Sequence, residues 1–354
     1  MPAHDGFIVP HIYWYDEDTM LTKRRRAVWR RREFLVGLGL CVLVLSTLFF
    51  VLPSFVVWQQ TNQNAQPPFP LGVDPVHKTI TENQAAAILF SNQDTPVAAA
   101  VAGAGNFFDK LSQVIARSGL YQTVAAAGDV PQVVTIDPGL RKEQVAALFA
   151  NALGWDANTE KMFLELPPIS NEDLNDGTIT PDDYAVSNDT SVVAVQTEIK
   201  NQFENTILSR YTPAIQKVVP LNEGLTIASI IERETSDPTE MRIISGIIWN
   251  RIFDGMKLQM DSTLQYAKAP SKGAWWPPVL PADKYIDSPY NTYENLGLPP
   301  APIAEPSVAA VLAALNPVNT SCLYYFHDSN GVFHCSDTYA GQVALLKKYY
   351  GQGK

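Results

Sequence analysis

The sequence predicts an α+β protein with a single N-terminal transmembrane helix, and three observations predict it. Residues 34–52 (FLVGLGLCVLVLSTLFFVL) are nineteen consecutive residues without a charge. At about 1.5 Å of rise per residue, such a helix nearly crosses a hydrocarbon core of roughly 30 Å. Beyond it, apolar residues recur at helical spacing, most plainly in residues 240–253, where Ile244, Ile247, Ile248 and Ile252 share one side. Short β-branched or aromatic runs near Val133 and on both sides of Asn330-Gly331 read as strands. Strands in a few short runs beside a majority of helices give α+β rather than an alternating parallel fold.

The apolar run continues through residues 53–58 (PSFVVW), where a cleaved signal peptide would show small residues, so residues 34–58 read as a retained anchor. Lys23, Arg24, Arg25, Arg26, Arg30, Arg31 and Arg32 precede it. Basic residues stay on the cytoplasmic side, which sets residues 1–33 inside and the rest of the chain outside the cell membrane. The first 33 residues carry net +2 of the chain's −10, so the remainder carries −12. An acidic outer portion repels polyanions, and the basic cluster is accounted for by topology, so nucleic acid is excluded as a partner. Cys41 lies in the span, leaving Cys322 and Cys335 in a compartment that permits a disulfide. A two-residue turn centred on Ser329-Asn330 sets Tyr324, not Cys322, opposite Cys335, which leaves the pairing open. No CxxC pair or Cys/His array is present, and neither metal nor cofactor is expected.

Residues 59–71 (QQTNQNAQPPFPL) have the composition of an extended linker. Residues 72–132, with a helical pattern at 106–117 and an Ala-rich stretch at 97–102, carry no recognisable chemistry. Residues 133–190 open with a strand, a Pro-Gly turn and a helix bearing Val145, Leu148, Phe149 and Ala152, a small module. Residues 191–354 hold helices at 192–211, from Leu225, at 240–253, at 307–315 and from Tyr339. The nine prolines between 270 and 306 enforce irregular loop between them.

Three runs carry a resemblance: LTIASIIERET, MKLQMDSTLQYA, and SPYNTYENLGLPPAPIAEPS. Together they resemble the endolytic murein transglycosylases of the MltG (YceG-like) family, over about residues 133–339. The resemblance implies a peptidoglycan lytic transglycosylase, a lyase cutting between N-acetylmuramyl and N-acetylglucosamine residues within the strand and leaving 1,6-anhydro ends. It also implies peptidoglycan glycan strands as substrate, work beside peptidoglycan synthases, and a LysM-like identity for the module at 133–190. Departures from the family pattern are Asp176, Thr178 and Thr180 in the module, Ser262 for a proline, and Phe333, Cys335, Gly341 and Gln342 near the C-terminus.

The family's catalytic acid falls on Glu232 of Ala228-Ser229-Ile230-Ile231-Glu232-Arg233-Glu234. Lytic cleavage needs one carboxyl group that stays protonated near neutral pH and then acts as a base, and burial against apolar neighbours supplies that. Spacing alone does not choose Glu232, because Glu234 follows Ile230 and Ile231 by four and three residues. Glu234 is expected to hold a neighbouring backbone or Arg251. The resemblance places substrate contacts on Glu234, Gln259 and Asp261 and on Tyr290, Asn291, Thr292 and Tyr293, with Asn291 facing an N-acetyl group. By residue type Asp261 suits a turn or cap as readily as substrate, and the PYNTY run reads equally as a packed aromatic turn. Trp275 and Trp276 read equally as a stacking platform or as loop packing. Two other functions fit the residues: a non-catalytic peptidoglycan-binding scaffold in the membrane, and a muramidase that hydrolyses the bond.

Overall fold

The computed structural model describes residues 66–91, 132–165, 176–268 and 274–351, with isolated positions among 35–43 and 114–123. Residues 1–52 and 53–354 form two separate compact units. In the first, Leu35, Val36, Leu38, Leu40 and Leu43 are helical and exposed. The other positions of the expected anchor, the basic cluster and most of the helical pattern at 106–117 lie outside the described residues. Among the described residues no helix is long and apolar enough to cross a membrane.

The second unit begins with a two-residue ladder, β1 (Val73–Asp74) and β2 (Thr79–Ile80), followed by α1 (Gln84–Ser91). This region is part of the large core: Phe69 and Val73 are buried in it, and the Arg210 guanidinium lies 4.0 Å over the Phe69 ring. Next, β3 (Gln132–Thr135) pairs antiparallel with β4 (Asp183–Val186), Val134 opposite Tyr184. Between them run α2 (Lys142–Leu153) and α3 (Ala157–Glu165). Val145, Ala146, Phe149, Phe163, Ile179 and Tyr184 fill this β-α-α-β core. Its packing passes residue 190, because α4 (Val192–Phe203) gives Val192, Val195 and Ile199 to the small core and Phe203 to the large one. The helix expected at 192–211 is α4 followed by a π turn, Glu204–Leu208.

The large core is built on α6 (Leu221–Glu234), with α5 (Pro213–Val218) before it and α7 (Pro238–Phe253) and α9 (Val308–Leu315) packed against it. Every residue of α6 from Gly224 to Ile231 is buried. Four of these are Leu or Ile, each worth roughly 1.5–3 kcal/mol on full burial. The helix starts four residues before the expected Leu225, through Gly224. A Cβ there would stand 2.5 Å from the Tyr211 hydroxyl, so close packing outweighs the low helix propensity of glycine. α7 starts two residues early because Asp237 caps it, accepting from the amides of Thr239 and Glu240, with Pro238 as its first residue.

The proline-rich stretch holds only a 3₁₀ turn at Pro281–Tyr285. Just before it, α8 (Asp261–Lys268) is a helix the pattern did not announce. A hairpin of β5 (Tyr324–His327) and β6 (Phe333–Ser336), then α10 (Tyr339–Tyr350), complete the unit. The hairpin register differs by one from expectation: Tyr325, not Tyr324, faces Cys335. The loop has three residues, closed by Gly331 N–H on the Asp328 carbonyl with Gly331 at φ +77°. The Cys322–Cys335 disulfide forms all the same, Cα atoms 5.8 Å apart, because Cys322 lies before β5 and outside the ladder.

Candidate active site

The last turn of α6 leaves the apolar interior and presents Glu232, Arg233 and Glu234 in succession. Glu232 Oε2 accepts the Ser307 amide at 2.9 Å and the Ser307 hydroxyl at 2.5 Å. Ser307 caps α9, its Oγ also accepting from the Ala310 amide, so this carboxyl oxygen sits at the partly positive end of a helix. Oε1 has no hydrogen-bond partner among the described residues and reaches solvent. Burial raises the Glu232 pKa above the usual carboxylate range, against the downward pull of Ser307 and of the Arg233 charge.

Glu234, two residues on, has both oxygens engaged. Oε1 accepts from the Ser262 hydroxyl at 2.7 Å and Oε2 from the Tyr325 hydroxyl at 2.8 Å. Burial raises its pKa too, the two hydroxyls lower it and the nearby Asp261 charge adds to the rise. Ser262, which stands where the family pattern has proline, thus supplies a ligand for this carboxylate. Arg251 is held elsewhere, donating to the carbonyls of Leu323, Lys257 and Leu258 and to Gln259 Oε1.

Asp261 opens α8 at the surface and accepts the Tyr293 hydroxyl at 2.6 Å. Gln259 is exposed, in the left-handed region at φ +53°, its amide bonded to the Thr292 carbonyl. Thr292 is buried, and its hydroxyl bonds the Met260 amide and the Thr263 hydroxyl. Asn291, expected to face an N-acetyl group, is fully buried. Its Nδ2 donates to the carbonyls of Lys284 and Ile286, and its Oδ1 accepts from the Tyr293 amide. The Tyr290 ring packs on Tyr266, centroids 4.7 Å apart. Gln259, Asp261, Thr292 and Tyr293 therefore meet around the start of α8, with Asn291 holding the loop behind them.

Of the two readings of Trp276, stacking platform or loop packing, the structure shows the ring packed against arginine side chains, and it adds Arg141, which no sequence motif marked. Two guanidinium groups lie over the Trp276 ring, Arg233 at 3.9 Å and Arg141 at 4.3 Å from its centre. Arg141, buried, also donates to the carbonyls of Gln265 and Trp275, tying the small module to α8 and the loop after it. Asp176 accepts from the Lys142 amide and the Tyr266 hydroxyl, both at 2.7 Å. Ser307 and Glu305 lie inside the quoted GLPPAPIAEPS run, so the motif marked them without indicating what they do. A cavity of about 420 Å³ between β4 and α4, lined by Tyr184, Glu198 and Gln202 among others, includes none of these residues.

A model described as the YceG-like family matches residues 78–348. The chain belongs to this family. An endolytic murein transglycosylase of Bacillus subtilis (strain 168) is 36% identical over 146 residues, 41% of this chain and 39% of that protein. One of Streptococcus pneumoniae serotype 2 (strain D39 / NCTC 7466) is 27% identical over 205 residues, 57% of this chain and 36% of that protein. The matched stretches thus span less than half the length of these relatives. The crystal structure of a yceG-like protein from Listeria monocytogenes shares the fold, with a TM-score of 0.55 and 24% identity. It covers 66% of this chain and 80% of that one. The family expected from the motifs, and the mixed helix-and-sheet fold, are those found.

Proposed function

We propose that this YceG-like chain is an endolytic murein transglycosylase, cutting the N-acetylmuramyl–N-acetylglucosamine bond of peptidoglycan with Glu232 as its single acid and base. The observation that carries the reading is the asymmetry of Glu232: one oxygen fixed by Ser307, the other free, on a carboxyl whose pKa burial raises. In the protonated state the proton sits on Oε1, since Oε2 already accepts two hydrogen bonds. Oε1–H donates to the glycosidic oxygen as that bond breaks. The resulting carboxylate then takes the proton of the muramyl 6-hydroxyl as its oxygen bonds to the anomeric carbon. Proton and carboxyl are restored, no water is consumed, and the new end is a 1,6-anhydro sugar.

Glycoside hydrolases pair the acid with a second carboxylate, as nucleophile or as base for water. Among the described residues the charge that acts on Glu232 is the Arg233 cation rather than a carboxylate, which supports a single-carboxyl mechanism. Gln259, Asp261 and Tyr293 are proposed to line the substrate path beside α8, and Glu234 to hold α8 and β5 in place through Ser262 and Tyr325. The apolar residues 34–52 behind their basic cluster support a membrane anchor with the rest outside, next to nascent glycan and its synthases. The β-α-α-β module supports a LysM-like, glycan-engaging role.

Mass spectrometry of the soluble products from the full chain and purified peptidoglycan, beside Glu232→Gln, tests the reading. Muramyl ends lighter by one water than reducing ends, and missing with the variant, are expected. Reducing ends mean a muramidase. No products from folded protein would leave a binding scaffold.

A further inference from the structure

Glu305 is a fully buried carboxyl that the proposed chemistry does not use. Its Oε2 accepts the amides of Gly177 at 2.9 Å and Ile179 at 2.8 Å, both from the small module, and its Oε1 is buried without a partner. Its backbone is gripped by the same module: Gly139 N–H donates to the Glu305 carbonyl, and Glu305 N–H to the Leu140 carbonyl. Gly177, at φ +90°, packs so closely that a Cβ would come within 2.7 Å of the Pro302 ring. Thus residues 139–140 and 176–179 clamp residues 302–305 by four hydrogen bonds and one close contact. The other end of this short segment reaches the catalytic helix. Ile303 N–H donates to Ser229 Oγ, and Ser307 donates twice to Glu232 Oε2.

A buried acid costs stability unless its hydrogen bonds compensate, and leaving its partners unpaired costs more. The module therefore has one low-energy seat, the one in which Glu305 meets Gly177 and Ile179. Pro306 alone separates that clamp from Ser307, so the seat also fixes where the Ser307 hydroxyl and amide point.

We propose that Glu305 is a positioning residue: by locking the small module onto residues 302–305 it holds Ser307 on Glu232, making the module a structural part of the active centre. Module and acid then act as one unit. Displacing the module frees Ser307, and Glu232 loses the two hydrogen bonds that oppose the upward effect of burial. Arg233 is the charged group facing Glu232, and Asp176 and Glu143 are those facing Glu305.

The test titrates Glu232 in the full chain by carboxyl ¹³C NMR, with Glu232→Gln identifying its resonance. The variants are Glu305→Ala, Glu305→Asp, Glu305→Gln and Ser307→Ala. This readout needs no turnover, so it stands apart from the transglycosylase reading on which the kinetic part rests. Ser307→Ala moves the Glu232 midpoint upward. Glu305→Ala, and to a lesser degree Glu305→Asp, moves it the same way, and adds nothing in the Ser307→Ala background. Glu305→Gln, which keeps an acceptor for the two amides, brings the midpoint back toward wild type. In turnover, Glu305→Ala lowers kcat at neutral pH by roughly tenfold with little change in KM, as expected for a lost positioning effect on the acid. If Glu305→Ala does not fold, Glu305→Asp decides. Folded Glu305 variants in which Glu232 titrates as in wild type, while Ser307→Ala shifts it, overturn the inference. Inactive wild-type protein whose Glu232 still responds to Glu305 overturns the transglycosylase reading alone.

Discussion

Glu232 and Glu234 sit two residues apart on one helix and differ in what their oxygens touch, and that difference predicts opposite responses to the same substitution. Glutamine at 232 still accepts from Ser307 but holds no transferable proton. Glu232→Gln is expected to lower turnover by about 10²–10⁴-fold with the melting temperature nearly unchanged. Glutamine at 234 turns an NH₂ group toward either Ser262 or Tyr325, each of which now donates. Glu234→Gln is expected to cost about 1–3 kcal/mol of stability, read by urea denaturation, with a smaller loss of turnover. The reverse pattern, an inactive but fully stable Glu234→Gln, would move the acid to Glu234. Asn291 allows a similar discrimination. As a loop tie its replacement by alanine strands the carbonyls of Lys284 and Ile286 and the Tyr293 amide, and should lower stability by about 1–3 kcal/mol or more. As a sugar ligand in the described conformation it would instead raise KM at constant stability. The sequence made Glu232 and Asn291 visible as chemically apt residues, but whether an amide points at solvent or at its own loop depends on side-chain packing that composition does not encode.

At the scale of elements, what the sequence made legible follows the strength of its local signals. α7 and α9 carry periodic apolar faces, and their starts differed only through caps, Asp237 with Pro238 for α7 and Ser307 for α9. α8 escaped notice because its eight residues DSTLQYAK are too few and too polar to show a period, and tertiary hydrogen bonds to Thr292 and Glu234 fix its start. The hairpin was legible as a hairpin but not in register, since one additional loop residue separates a two-residue turn from the three-residue loop with Gly331 left-handed. The Cys322–Cys335 bridge does not follow from that register, since Cys322 lies just before the ladder; it ties β6 to the start of the strand carrying Tyr325 and so braces the Glu234 contact. Closing a loop of this length stabilises a fold by about 2–4 kcal/mol. Reduction, or Cys322→Ser with Cys335→Ser, is expected to lower stability by that amount, measured by urea unfolding with and without reductant. An unchanged midpoint would mean that the hairpin is held by its packing on the core alone.

Across residues 53–354 the distribution of acids makes stability depend on pH in a direction that can be worked out. Burial is the leading cause of the raised pKa values of Glu305, Asp176, Glu234, Glu143 and Glu232. Glu305 and Asp176 lie in the contact between the small module and the loop and helix it meets. A carboxyl whose pKa is higher folded than unfolded binds more protons in the native state between the two values, so the native state is favoured by acid there. Its contribution is complete below the ordinary carboxylate range and is lost as pH rises through the higher folded value. Asp74, Asp156, Asp283 and Asp328 run the other way: side-chain hydrogen bonds lower their pKa values, and their contributions disappear as pH falls. The chain should therefore lose stability progressively as pH rises above the carboxylate range, with the small-module junction the first contact to weaken. Glu305→Gln removes the largest of these buried acids while keeping an acceptor for Gly177 and Ile179, so it should flatten the slope and be more stable than wild type at alkaline pH. Urea midpoints measured at a series of pH values for both proteins test this. Parallel curves would mean that Glu305 stays in one protonation state throughout, and that the pH dependence arises from Asp176, Glu143 and the two glutamates of α6.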